Sequence, residues 1–328
     1  MIPRSLPVVD DPFPDESLYG FVLRMSGRNR LAGMTWVLAQ LGRRSITQLG
    51  ESDDRAIAHL FGANPDAVNR LVVRGRWVDG THRQWIRGLE ITRPYLLRLA
   101  RPQWCPLCLA EGGFARAAWD LQLVTACHLH GVQLLERCTK CSRLLRWQRR
   151  ELSNCLCGAN LCIAEARAAE PGAVDVAAWI ASHLDASTGR PPKGSQPASA
   201  SPWQFVAHGL SMDGGMRLLY GAGLKRDPGH RVGPGEARAG LTTAECRDVC
   251  VRSVERLGLV QAQLSHEDKA HLRALFHLPA LVALAVDGLE DADRQMARSL
   301  LEAGLAAPSP RGRLNRGGQH AQLSIPGL

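Results

Sequence analysis

Ten cysteines occur in this chain of 328 residues, and eight of them lie in one stretch between positions 105 and 162. In that stretch, short pairs of the types C-x-x-C, C-x-x-H and C-x-C are separated by longer spacers. Each tight pair directs two ligand atoms at one ion, and the spacer returns the chain with the second pair, as a tetrahedral metal site requires. The spacing predicts two sites, formed by Cys105, Cys108, Cys127 and His130 and by Cys138, Cys141, Cys155 and Cys157.

Thiolate and imidazole ligands in these numbers are typical of zinc. Because each set supplies four protein ligands, no position is left for water or substrate, and we expect two structural zinc ions. His128 stays an alternative to His130 as the fourth ligand of the first site. Burial as small apolar side chains is favoured over a further ligand role for Cys162, Cys246 and Cys250.

The charge of the chain favours an acidic partner. Lys and Arg number 40 against 31 Asp and Glu, which gives a formal net charge of +9, and such an excess attracts the phosphates of DNA. The N-terminus has no apolar run behind a basic start, and no apolar stretch reaches about 18 residues. We therefore expect a cytoplasmic protein without a membrane-spanning segment, in a compartment where thiols stay reduced and free to bind metal.

Helical periodicity on both sides of the cysteines predicts a mainly α fold with two small zinc-finger modules. The linker is placed where Pro, Gly and Ser accumulate, since such a segment cannot bury a core. Ser201 is a predicted N-cap, and Thr242 with Glu245 a predicted capping box. The expected units are an N-terminal helical domain at 1–100, tandem zinc fingers at 101–165, a helix at 166–185, a linker at 186–202, a C-terminal helical domain at 203–307 and a disordered basic tail at 308–328.

A helix-turn-helix pattern occurs in "DDRAIAHLFGANPDAVNRLVVR". Ala58 would let two helices approach, Gly62 would take the left-handed turn, and Val68 would pack back from a second helix that begins near Pro65. That helix would present polar and basic side chains, although Asp66 opposes phosphate and the motif also serves as a simple packing unit. The C-terminal helices are a candidate for a second such motif. The predicted nucleic-acid contacts are Asn69, Arg70, Arg74 and Arg76.

Two parts of the sequence together resemble the TniQ family of bacterial Tn7-like and mercury-resistance-type transposons, which includes a target-selecting branch. The first is the opening "PDESLYGFVLRMSGRN". The second comprises "WCPLC", "CHLHGVQLLERCTKC" and "CLCGANL", with Trp119 between the first two, and is similar to the paired zinc fingers of the family. The resemblance spans roughly 7–162.

This resemblance implies a non-enzymatic adaptor in the bacterial cytoplasm. Members of the family couple a target site to an AAA+ transposition ATPase of the TniB/TnsC type, which recruits the DDE transposase. Some bind DNA directly and others associate with a CRISPR effector complex, so both are candidate partners, and a homodimer stays open. The implied ATPase contact is the opening segment, through Pro14, Glu16, Ser17, Leu18, Phe21 and Arg24.

The alternative is a sequence-specific, DNA-binding transcription regulator with structural zinc sites, which the helix-turn-helix pattern also fits. A nuclease or transposase would need clustered carboxylates to hold two magnesium ions, whereas acidic pairs such as Asp53 with Asp54 fall at predicted helix starts. The chain has no GxxxxGK[ST] phosphate loop, so we expect a partner to hydrolyse ATP. We predict that the protein is not an enzyme and has no catalytic residues.

Overall fold

Helices carry most of the regular structure in the computed structural model, which describes residues 6–46, 49–187, 202–225, 241–261 and 265–305. This part of the chain confirms the helix-rich class and adds two small antiparallel sheets. The helices are α1 Leu18–Arg28, α2 Met34–Gln40, α3 Asp54–Phe61, α4 Pro65–Asn69, α5 Pro106–Gly112, α6 Pro171–Ala186, α7 Pro202–Ala207, α8 Met212–Gly223, α9 Thr243–Gln261, α10 His266–Leu275, α11 Leu278–Asp287 and α12 Asp291–Leu305. The strands are β1 Arg74–Val78, β2 Thr81–Ile86, β3 Leu89–Ile91, β4 Ala126–Cys127 and β5 Val132–Gln133.

A buried ion pair holds the N-terminal segment against α1. Arg24 donates from Nε and Nη2 to the two carboxylate oxygens of Glu16, at 2.8 Å each, and from Nη1 to Asp10 at 2.9 Å. Its guanidinium also lies 4.6 Å from the centroid of the Phe13 ring. Burial raises the pKa of Glu16, although the hydrogen bond and charge of Arg24 oppose that rise. The pair therefore fixes the path of the chain as it enters α1.

Helices α3 and α4 form a short packed pair around Gly62, which ends α3 in the left-handed conformation with φ of 59°. Ala58 and Val68 are fully buried where the sequence pattern places them. However, α4 has only five residues, about one and a half turns, which is short for a recognition helix that enters a groove. A DNA-binding helix-turn-helix arrangement is therefore not confirmed, and Arg74, one of the predicted nucleic-acid contacts, lies at the start of β1 and not on α4.

Strands β1, β2 and β3 form an antiparallel sheet in that order, which the sequence reasoning missed. The two connections are two-residue turns at Asp79–Gly80 and Arg87–Gly88, and all four residues have positive φ. This is the type I′ geometry that matches the twist of paired strands. Asp-Gly between two strand-like runs is a strong hairpin signal, so the β1–β2 hairpin was predictable from its turn.

One buried core extends from α1 through the cysteine region to the C-terminal helices. Polar contacts cross it: the backbone and side chain of Thr92 both donate to Asp213 on α8, at 2.8 and 2.7 Å. The division into domains stays a prediction, since this core is continuous. The Thr242–Glu245 capping box is confirmed by its two reciprocal bonds to backbone N–H groups, at 3.2 and 2.8 Å.

Some predictions fall outside the described residues. They are the Ser201 N-cap, residues 188–201 of the linker and the tail at 308–328. Where the chain is described, every helix is too short or too polar to cross a bilayer.

Substitution of Arg24 by Met should lower the free energy of unfolding by about 3–5 kcal/mol, because it leaves the fully buried Glu16 carboxylate without its partner. The matched control is Arg28→Met, since Arg28 pairs with the same Asp10 at the exposed surface and should contribute less than about 1 kcal/mol. Urea unfolding followed by circular dichroism measures both. Equal losses in the two variants would contradict the role assigned to the buried pair.

Candidate metal centres

Two tight turns present the ligands of the first cluster. Cys105 is the N-cap of α5, and Pro106 at the first helical position starts the helix, which brings Cys108 into its first turn. Cys127 ends β4, and His130 lies in the turn that leads into β5. The chain thus arrives twice at one point, once from a helix start and once from a hairpin.

The ligand atoms of this cluster have the separations of a tetrahedral site. His130 Nδ1 lies 3.6, 3.3 and 3.4 Å from the sulfurs of Cys105, Cys108 and Cys127, and the last two sulfurs are 3.5 Å apart. Metal bonds of about 2.3 Å to sulfur and 2.0–2.1 Å to nitrogen give tetrahedron edges of about 3.8 Å between sulfurs and about 3.5 Å between sulfur and nitrogen. The residues therefore fit a metal ion, and His130 rather than His128 completes the set.

Two further side chains support the first cluster. Glu111 Oε2 lies 2.9 Å from His130 Nε2, the ring nitrogen turned away from the sulfurs, and Arg116 Nε donates to the Cys108 sulfur at 3.5 Å. A carboxylate in this position fixes the tautomer and orientation of a metal-bound imidazole. The sequence reasoning missed Glu111, although its place three residues after Cys108 on α5 puts the two on one helix face.

Two thiols of the first cluster have pKa values that shift in opposite directions. Hydrogen bonds from Cys105 and Cys108 lower the pKa of Cys127 to about 3, while hydrogen bonds with Cys108 and Cys127 raise the pKa of Cys105. Cysteine binds a metal ion as a thiolate, so binding of an ion would release the protons that these thiols hold.

The second cluster repeats the arrangement with four cysteines. The sulfurs of Cys138 and Cys157 are 3.7 Å apart and those of Cys141 and Cys155 are 3.8 Å apart, close to the edge of about 3.8 Å expected for four metal-bound sulfurs. All four ligand atoms lie within 4.8 Å of one another. In the described ranges, both predicted quartets thus converge and could each hold an ion.

Comparison with known proteins assigns the family. Residues 7–134 match the family model TniQ. These residues form a TniQ domain. The match runs from the N-terminal segment to the end of β5 and includes all four ligands of the first cluster, while the second cluster lies beyond it. It associates this TniQ protein with transposition, and no curated protein matches the chain.

Five of the six predicted ATPase contacts have buried side chains, and the contact itself stays a prediction. Inside the fold, their side chains pack, cap α1 or pair with one another. The exposed member of the set is Pro14. The buried five are Glu16, Ser17, Leu18, Phe21 and Arg24.

Two of the four predicted nucleic-acid contacts are held by partners inside the fold, and the other two are exposed. The Asn69 amide donates to Asp54 and accepts from Arg74, and Arg74 also lies 3.4 Å from Glu51. These internal partners occupy Asn69 and Arg74. Arg70 and Arg76 are exposed.

The remaining cysteines of the TniQ protein lie outside the two clusters. Cys246 and Cys250 are fully buried; the Gln122 amide donates to the sulfur of Cys246 at 3.1 Å, and Cys250 donates to the carbonyl of Leu123 at 3.3 Å. Burial raises the pKa of Cys246 to about 12. Cys162 is half-buried against the core.

Cys108→Ser should lower the metal content from about two ions per chain to about one, since serine is a poor replacement for a thiolate ligand. Cys162→Ser is the matched control and should keep about two. Elemental analysis of protein purified without chelator measures both. Equal metal contents in the two variants would contradict the assignment of Cys108.

Glu111→Gln should weaken metal binding at the first cluster about 10- to 100-fold, because the imidazole loses its carboxylate partner. Competition with a chromophoric chelator measures the affinity. Glu165→Gln, at an exposed carboxylate far from the ligand set in sequence, should leave it unchanged. An unaltered affinity in Glu111→Gln would show that the contact has no part in metal binding.

Proposed function

We propose that this TniQ protein is a non-enzymatic transposition adaptor, which marks the target site for an AAA+ ATPase and through it for the DDE transposase. The family match over residues 7–134 carries the proposal. The two clusters support it, because four protein ligands leave no coordination position for a substrate. The net charge of +9 favours DNA as one of the partners.

The proposal includes zinc as the ion of both clusters, in a structural role. One nitrogen with three sulfurs and four sulfurs are ligand sets that tetrahedral zinc prefers. In each cluster the ion would join two distant turns of the chain. Loss of an ion would then disturb the shape of the adaptor and not a chemical step.

The N-terminal segment is the proposed contact for the ATPase, through the residues that it exposes. Phe13 is 39% exposed, stacks on Phe114 with ring centroids 4.6 Å apart and precedes the exposed Pro14. The buried pair of Arg24 with Glu16 would hold this edge in place. The residues of the opening motif would thus act on the partner indirectly, by positioning Phe13 and Pro14.

The test uses an AAA+ transposition ATPase of the TniB/TnsC type and measures how much of it is loaded on DNA that carries the target. The wild-type protein should increase the loading, and Phe13→Asp should reduce that effect at least about tenfold, as loss of a buried aromatic contact does at interfaces. Leu144→Asp is the matched control, since Leu144 is 41% exposed, and should load like the wild type.

Two outcomes would overturn the adaptor. In the first, the protein binds a specific duplex tightly and has no effect on the ATPase, which would favour the transcription regulator. In the second, Phe13→Asp and Leu144→Asp change the loading equally. Thermal unfolding of both variants verifies that they are folded, and a parallel assay with a CRISPR effector on the DNA distinguishes direct from RNA-guided targeting.

A further inference from the structure

The β1–β2 hairpin exposes an indole that nothing in the described chain covers. Trp77 is 74% exposed, whereas the other seven tryptophans are buried or half-buried. Large aromatic side chains at the surface are typical of binding sites, because an interface removes them from water. The hairpin has no role in either metal cluster, so Trp77 calls for a separate explanation.

The strand register gives the hairpin two different faces. Trp77 lies opposite His82, with ring centroids 5.5 Å apart and planes at 67°. Gly75 makes room for this histidine, since a Cβ there would lie 2.9 Å from His82 Nε2. On the Trp77 face of these strands, the side chains are aromatic or neutral and none is acidic.

The opposite face is cationic. Arg76 lies directly across from Arg83, and like charges in that position destabilise a strand pair. Glu51 lies 3.4 Å from both Arg74 and Arg76, and Glu90 lies 2.7 Å from Arg83. Three guanidinium groups thus share two carboxylates, and the side chain of Arg76 stays 64% exposed. An external anion would relieve the remaining repulsion.

We propose that the β1–β2 hairpin binds in the major groove of duplex DNA. Arg76 contacts a phosphate from one face, and Trp77 contacts sugar and base edges from the other. The groove is about 12 Å wide and admits a two-stranded ribbon, and the excess of guanidinium groups matches the charge of the backbone. The hairpin replaces the short helix α4 as the DNA-contacting element. This inference deepens the proposed function by naming the surface that reads DNA.

The experiment measures binding of the full chain alone to a fluorescently labelled duplex of 30 base pairs, by anisotropy at several salt concentrations. Trp77→Ala should weaken binding about tenfold, the loss expected when one contact with base edges is removed. Arg76→Ala should weaken binding and reduce the slope of log K against log salt by about 1, as loss of one phosphate contact does.

Matched controls exist for both variants. Ile163 is 81% exposed, and the side chain of Arg167 is 70% exposed and lies 3.8 Å from Glu165. Ile163→Ala and Arg167→Ala should bind the duplex like the wild type. All four substitutions are at exposed positions, and thermal unfolding verifies that each variant is folded.

Fluorescence gives an independent readout, because Trp77 is the tryptophan most open to a quencher. Acrylamide should quench the fluorescence of the wild-type protein more than that of Trp77→Ala. Bound duplex should shield Trp77 from acrylamide and so remove this difference. The proposal would be overturned if Trp77→Ala and Arg76→Ala bound the duplex as tightly as their controls. It would also be overturned if single-stranded DNA or the ATPase protected Trp77 from acrylamide and the duplex did not. No ATPase takes part in the duplex-binding assay. Failure of the proposed adaptor function would therefore not change the outcome of this assay, and failure of duplex binding by the hairpin would not decide the adaptor function.

Discussion

The convergence of four ligand atoms on one point, repeated in two clusters, is the constraint on which the middle of this protein depends. Between residues 101 and 165, the regular structure amounts to the seven-residue helix α5, one 3-10 turn and two strands of two residues each. Few backbone ladders hold such a region together. Each spacer between ligand pairs carries a buried tryptophan, Trp119 in the first and Trp147 in the second. Fixing the ends of a spacer lowers the entropic cost of burying what lies between them.

The rest of the molecule packs on these spacers. The Trp147 indole donates to the carbonyl of Leu99 at 2.9 Å, and its ring lies 5.6 Å from that of Tyr19 on α1. On the other side, the Gln122 amide in the first spacer donates to the carbonyl of Leu241, just before α9, at 2.6 Å. In the proposed adaptor, the clusters would define a scaffold that presents the N-terminal edge and the β1–β2 hairpin.

How far the sequence predicts this arrangement depends on the range of the interaction. Ligand spacing is local, so both quartets followed from the positions of the cysteines. The choice of His130 over His128 needed the β4–β5 turn, which aims Nδ1 of His130 at the three sulfurs. Arg24 and Glu16 have the composition of a surface motif, and only tertiary packing shows that they are buried. The hairpin was missed despite Asp79–Gly80, because arginines interspersed with Trp77 hid the strand pattern.

The central claim, two closed structural zinc sites with these ligand sets, is tested most directly by X-ray absorption at the zinc edge on the purified protein. Three sulfurs in one site and four in the other average to about 3.5 sulfurs at about 2.3 Å, with about half a nitrogen at 2.0–2.1 Å per ion. That shell is the predicted result. A shell with water or carboxylate oxygen in place of sulfur, or with five or six ligands, would contradict the account.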